Sequence, residues 1–223
     1  MPKAHDRRSA SSNSSASRPL PTTIWLPNPN DPEHVPAPEG VLPVWAIDRI
    51  RAEFSHRPGH VPAPLITIRI HDTGPGMDAR TRSVTYATDP SGASRPSRGP
   101  VLLAELHPDT LPAPDDTLLP NADDMPGAME NGWPGFFHRA HRLLPGDGLL
   151  LLAARQRRDA GRLTDPLGPL IAAARTAGFS YLQHIVIVHG HPSGDRIEPT
   201  PIEGAPPGLI HSDLLVLSAI ASA

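Results

Sequence analysis

The sequence contains no cysteine, a single lysine (Lys3) and few aromatic residues: four phenylalanines, three tryptophans and two tyrosines. Without cysteine, disulfides, thiolate nucleophiles, iron–sulfur clusters and cysteine-ligated zinc are excluded. No run approaches the ~18 consecutive apolar residues of a membrane span. The start of the chain also lacks the apolar stretch of a signal peptide, so the expectation is a cytoplasmic protein with no membrane contact. Neither G-x-x-x-x-G-K-S/T nor G-x-S-x-G occurs, which removes the phosphate loop and the usual serine-hydrolase elbow. Twenty basic against 23 acidic residues give a formal charge of −3, which excludes a polycation that coats nucleic acid in bulk but leaves room for a local basic patch. The 12 histidines invite a metal reading. His138 and His141 lie three apart on an expected helix, and His191 follows His189-Gly190 at a strand end. Neither set has an H-E-x-x-H pattern or an acidic third ligand, so surface histidines and no metal are expected.

What is abundant is proline (30) and glycine (18), in a chain of 223 residues whose size suits one domain with a sizeable core. The abundance of Arg, Ala, Pro and Gly reads as a mutational bias, so single Pro or Gly signals are discounted. Residues 1–20 are polar and Ser-rich and read as a disordered tail. Residues 21–40 read as a Pro-rich extended lead-in, with Ile24, Trp25 and Leu26 docking on the body. A helix is expected over about 43–55, with Leu42, Trp45, Ile47, Ile50 and Phe54 on its apolar face and Pro43 in its first turn. Strands are expected at 64–71, 83–88 and 101–107, and 108–132 reads as a long acidic loop. Then come a helix at 136–144, a buried strand at 149–154, a helix from a Thr164 cap to about Ala177 stopped by Gly178, and strands at 181–189 and 209–217. Residues 190–208 read as the loop between the last two. Strand–helix alternation implies one α/β domain over 41–223. Its sheet should be mostly parallel, with the last two strands pairing antiparallel at one edge.

Two stretches carry the expected chemistry. Asp72-x-Gly74-x-Gly76-x-x-Ala79 follows the first strand with a G-x-G-x-x-A spacing. Small residues there let backbone approach a ligand at the carboxyl end of a strand, and Asp72 and the later Asp89 supply acceptors; an ordinary tight turn explains the same residues. Glu105-Leu106-His107-Pro108-Asp109 ends the central apolar strand. Glu105, His107 and Asp109 suit acid–base work there, or simply decorate a strand end with solvated polar groups. Arg155, Arg157 and Arg158 follow the 149–154 strand and read as phosphate contacts or as a solvated charge run.

The stretch Phe136-Phe137-His138-Arg139-Ala140-His141-Arg142-Leu143-Leu144-Pro145-Gly146-Asp147-Gly148-Leu149 resembles the helix, turn and fifth strand of class I S-adenosylmethionine-dependent methyltransferases. Ala173 to Phe179 resembles the helix end before that family's sixth strand, and His211-Ser212-Asp213-Leu214-Leu215-Val216-Leu217 resembles the closing strand of an actinobacterial branch of DNA amino-methylases. The resemblance spans roughly 41–218 and implies a Rossmann-like, methyltransferase-like sheet with an antiparallel C-terminal hairpin. It implies S-adenosylmethionine over Asp72, Gly74 and Gly76, with Asp89 near its ribose. It further implies methyl transfer to DNA amino groups at the position of Glu105, His107, Pro108 and Asp109. In that family a Pro-Pro-aromatic run orients the target amine, and this chain has neither the double proline nor the aromatic at that position. The alternative is therefore a catalytically inactive methyltransferase-fold protein that serves as a binding or interaction module.

Overall fold

A seven-stranded sheet carries helices on both faces in the computed structural model, which describes residues 22–28, 36, 40–56, 62–70, 79–82, 100–106, 132–144, 146, 148–159, 162–201 and 210–219. In chain order the elements are β1 (Thr22–Trp25), α1 (Val44–Ile50), β2 (Leu65–Ile70), β3 (Ala79–Arg82), β4 (Val101–Leu106), α2 (Gly132–Leu143) and β5 (Leu149–Ala154). They continue with β6 (Arg157–Asp159), β7 (Arg162–Thr164), α3 (Leu167–Thr176), β8 (Phe179–Val188), β9 (Gly190–Ser193), β10 (Arg196–Pro199) and β11 (His211–Ala219). The main sheet has the order β1-β8-β11-β5-β4-β2-β3. β1, β8, β5, β4 and β2 run one way, while β11 and β3 run against them. The mixed α/β architecture with a mostly parallel sheet and an antiparallel β8–β11 pair is thus as expected. No helix among the described residues is long and apolar enough to cross a membrane.

The middle strands explain themselves. Val101-Leu102-Leu103-Ala104 and Leu150-Leu151-Leu152-Ala153 are buried throughout, as continuous apolar runs must be when both sheet faces are covered. Alternate residues serve opposite cores. Leu102, Ala104, Leu106, Leu150 and Leu152 pack with Phe136 and Phe137 of α2 and Leu170 of α3. Val101, Leu103, Leu151 and Ala153 pack with Ala46 and Ile50 of α1 and with Trp25. α1 does not end at Ile50 but widens into an i→i+5 turn over Arg51–Ser55, closed by the His56 N–H on Arg51 O at 3.2 Å.

Several expectations are corrected. The lead-in docks on the body through Trp25, which is buried, and it does so as a strand: Thr22–Trp25 pairs parallel with β8 at the sheet edge. The closing pair is consequently not at the edge, because β11 lies between β5 and β8 and β1 covers β8. The strand after the glycine-containing stretch begins at Ala79 and returns antiparallel to β2, with Ala79 opposite Ile70. Residues 83–88 lie outside the described residues, as do the tail at 1–20 and the acidic stretch up to 131. Thr164 does not cap α3; it ends β7, and the Leu167 N–H donates instead to Asp165 Oδ1 at 3.0 Å. The loop expected at 190–208 contains the β9–β10 hairpin, turned at Gly194 (φ 61°). Gly178 does stop α3, in the left-handed region at φ 97°.

β8 also carries a bulge. Val216 of β11 faces Gln183, but the next residue, Leu217, faces Tyr181, so Leu182 is the extra residue. The bulge lets Tyr181 pack on the α2–α3 core while Ile185 and Ile187 pack on the α1 core. Just past the bulge, Gln183 Nε2 donates to Thr23 Oγ1 at 2.6 Å.

Candidate functional site

Open α/β sheets bind ligands beyond the carboxyl ends of their parallel strands, where successive connections leave in opposite directions. β2 and β4 meet that condition. They are parallel neighbours, with Arg69 opposite Glu105 and Ile70 opposite Leu106; β2 leads outward to β3, and β4 leads through α2 to β5 on its other side. Both candidate stretches therefore start from adjacent strand ends. Of the residues expected to bind the cofactor or carry the chemistry, the structure describes Glu105. Asp72, Gly74, Gly76, Asp89, His107, Pro108 and Asp109 lie outside the described residues.

Glu105 is not a solvated strand-end acid. It is 3% exposed. Its Oε2 accepts from the backbone N–H groups of Val41 (2.9 Å) and Leu42 (3.3 Å), and Arg69 Nε stands 3.9 Å from Oε1. Oε1 itself has no hydrogen-bond partner among the described residues. The other side of Val41 is held as well: the Ser212 hydroxyl donates to Val41 O at 2.9 Å. Ser212 has one proton and gives it to that carbonyl, so it accepts from His189, whose Nε2 lies 2.7 Å from Oγ. The histidine thus acts as donor here, which is the wrong polarity for activating a serine nucleophile. Val41 forms a crossbar from β4 to β11 over the end of β5, and the polar groups beneath it are sealed from water.

Burial corrects two further sequence readings. His189 is fully buried rather than a surface histidine, and Arg155, read as a phosphate contact or part of a solvated run, is buried as well. The strand-end position gave no sign of this, because burial there depends on segments distant in sequence.

A second polar group lies on the other face of the sheet. Asp213 is 2% exposed, yet its Oδ1 accepts from His184 Nε2 at 2.8 Å, with His211 Nε2 at 3.8 Å. Asp213 Oδ2 has no hydrogen-bond partner among the described residues. His184 stands on this face because it alternates with Ile185 and Ile187, which pack on the α1 core. Nearby, burial pushes the Tyr181 hydroxyl above its ordinary 10.0; Arg175 opposes that shift and the Asp213 carboxylate adds to it. Among the described residues, no group of three or more His, Asp or Glu side chains is arranged to hold a metal ion. The expected helical pair is not a ligand pair either: the His141 ring packs edge-on against Phe179 at 5.2 Å, with His138 half-buried one turn earlier.

The chain matches no family model and no curated protein.

Proposed function

We propose that this chain is a methyltransferase-like α/β protein that works as a binding module and does not transfer methyl groups. The observation that carries this is Glu105. A transfer site needs its acid or carbonyl open to the incoming amine, whereas this carboxylate is buried and held through Oε2 on two backbone N–H groups of its own chain. Two further features support the reading. The reversed β11 between β5 and β8 fits the closing hairpin that the resemblance implies. β3, beside β2 at the sheet edge, runs antiparallel, where the resemblance implies a parallel neighbour. Calorimetric titration of the full chain with S-adenosylmethionine tests it together with methyl-transfer assays on DNA. The reading expects no transfer, and turnover of the methyl donor would overturn it.

One observation favours an active enzyme as the second reading. The strand ends leading to Asp72–Gly76 and to His107–Asp109 are direct neighbours, so a methyl donor lying over the first would be within reach of the second. Under that reading, S-adenosylmethionine binds through Asp72, Gly74 and Gly76, and Glu105 positions the Val41–Leu42 backbone without touching the amine.

A further inference from the structure

Burial falls away along one row of the sheet. Ala154 of β5, Asp213 of β11, Val186 of β8 and Ile24 of β1 stand opposite one another in turn, so they point to the same face. Ala154 packs in the α2–α3 core, Asp213 is 2% exposed, Val186 is half-buried and Ile24 is 64% exposed. The next row repeats the pattern, from buried Leu152 and Leu215 to His184, whose side chain is 20% exposed, and exposed Thr22. The core on this side therefore ends at β11, and β8 and β1 form a shelf beside it with Asp213 at the inner margin. Asp213 Oδ1 accepts from His184 Nε2 at 2.8 Å, and His211 Nε2 stands 3.8 Å from the same oxygen. A carboxylate only accepts, so Nε2 carries the hydrogen and the neutral ring keeps a lone pair on Nδ1. His184 makes no other hydrogen bond among the described residues. Folding alone does not call for this acid. A buried carboxylate costs stability unless its remaining lone pairs are satisfied. Oδ2 has no hydrogen-bond partner among the described residues, and the next two positions on this face of β11, Leu215 and Leu217, are apolar core.

We propose that His184, held by Asp213, is a general base that hydrolyses neutral carboxylic esters whose apolar acyl group lies along Val186 and Ile24. Nδ1 takes a proton from water as the water oxygen bonds to the acyl carbon. The ester C–O bond then breaks, and Nδ1 returns the proton to the departing alkoxide. Water is thus divided between the carboxylic acid and the alcohol, and the ring ends as it began. Asp213 is a positioning residue: it fixes the tautomer and the ring orientation, and it stabilises the positive charge that His184 takes on. The same carboxylate selects for a neutral substrate. Its ion pairs among the described residues are with the two imidazoles alone, so an anionic ester would meet a negative charge with no guanidinium beside it. Exposed Ile24 and half-buried Val186 select for an apolar acyl group. Glu105 belongs to the opposite face, opposite Ala153 of the α1 core. The hydrolysis therefore stands whether or not a methyl donor is turned over at the carboxyl edge.

The test is hydrolysis of para-nitrophenyl butyrate by the full chain, set against free imidazole at the same concentration. Wild type should exceed imidazole by about 10²-fold or more, the contribution of a positioned base. His184→Gln should lose that gain with its Tm unchanged, and imidazole added to His184→Ala should restore part of it. Asp213→Asn keeps the size of the side chain and removes its charge. It should lower kcat by about tenfold or more and leave KM within about twofold. A purely structural Asp213 would instead lower Tm and leave the kcat of the folded protein unchanged, which would overturn its role. Para-nitrophenyl phosphate should not be cleaved, and its cleavage in place of the butyrate would overturn the substrate class. A wild type no faster than free imidazole overturns the proposal. So does a His184→Gln variant as active as wild type, which would move the hydrolysis to another residue.

Discussion

Replacing Glu105 with alanine should loosen one segment of the chain and leave the rest in place. The substitution removes a carboxylate that accepts two backbone N–H groups, at 2.9 and 3.3 Å, and leaves both donors buried. A hydrogen bond to a charged group contributes about 1.5–3 kcal/mol. The longer contact counts toward the lower end. Removing a buried carboxylate whose second oxygen has no hydrogen-bond partner among the described residues also relieves some desolvation cost. The expected net loss is about 2–3 kcal/mol, or roughly 5–10 °C in Tm for a domain of this size. Glu105→Gln keeps a carbonyl acceptor in the same place and should lose only about 1 kcal/mol. The specific readout is amide hydrogen exchange: Val41 and Leu42 should lose protection in Glu105→Ala, while the amides of β4 and β5 fall only with global stability. Ser212→Ala removes the other anchor of Val41, and its effect should couple to that of Glu105→Ala by about 0.5 kcal/mol or more in a double-mutant cycle. A Glu105→Ala variant as stable as wild type, with the Val41 and Leu42 amides still protected, would refute the crossbar.

Gly178→Ala should destabilise the chain by about 2 kcal/mol in chemical unfolding, because the residue sits at φ 97° and the new Cβ meets His141 Nε2. Adding His141→Ala relieves the contact but not the backbone strain, so recovery should be partial; full recovery would contradict the conformational part. Tyr181 sets a pH dependence. Its folded pKa is raised above 10.0, so the folded state holds the proton that the unfolded state gives up. The resulting stability is intact below pH 10.0 and is lost as pH rises through the folded value. Tyr181→Phe should flatten that alkaline limb in urea titrations, and an unchanged limb would show that another group causes it.

The central strands and the two long helices were legible because their signals are local: β4 and β5 are unbroken apolar runs, and α2 and α3 show a helical period. What escaped depends on partners distant in sequence. Thr22–Trp25 is too short to declare itself, and only its pairing with β8 and the burial of Trp25 make it part of the sheet. The bulge at Leu182 is invisible in a strand read alone, since register exists only against β11. The β9–β10 hairpin did carry a signal: Gly194-Asp195 between Ser193 and Arg196 is a two-residue turn of the kind that joins paired strands. Asp165, beside Thr164, accepts from the first N–H of α3, while Pro166 holds the N-cap position. At the site, Glu105 was found as a strand-end acid, but its use was not. Its partners are backbone N–H groups more than sixty residues away, and backbone donors leave no mark in sequence. Ser212, His189 and Asp213 were hidden for the same reason, because polar residues at a strand end look alike whether solvent or another segment covers them.

The account's central claim is that Glu105 holds the chain together and takes no part in chemistry. The direct measurement is transfer of a radiolabelled methyl group from S-adenosylmethionine to duplex DNA by wild type and by Glu105→Gln, with Tm recorded for both. The account predicts no label above the protein-free control for either protein, and a small drop in Tm for the variant. Label incorporated by wild type and lost in a Glu105→Gln variant of unchanged Tm would contradict it.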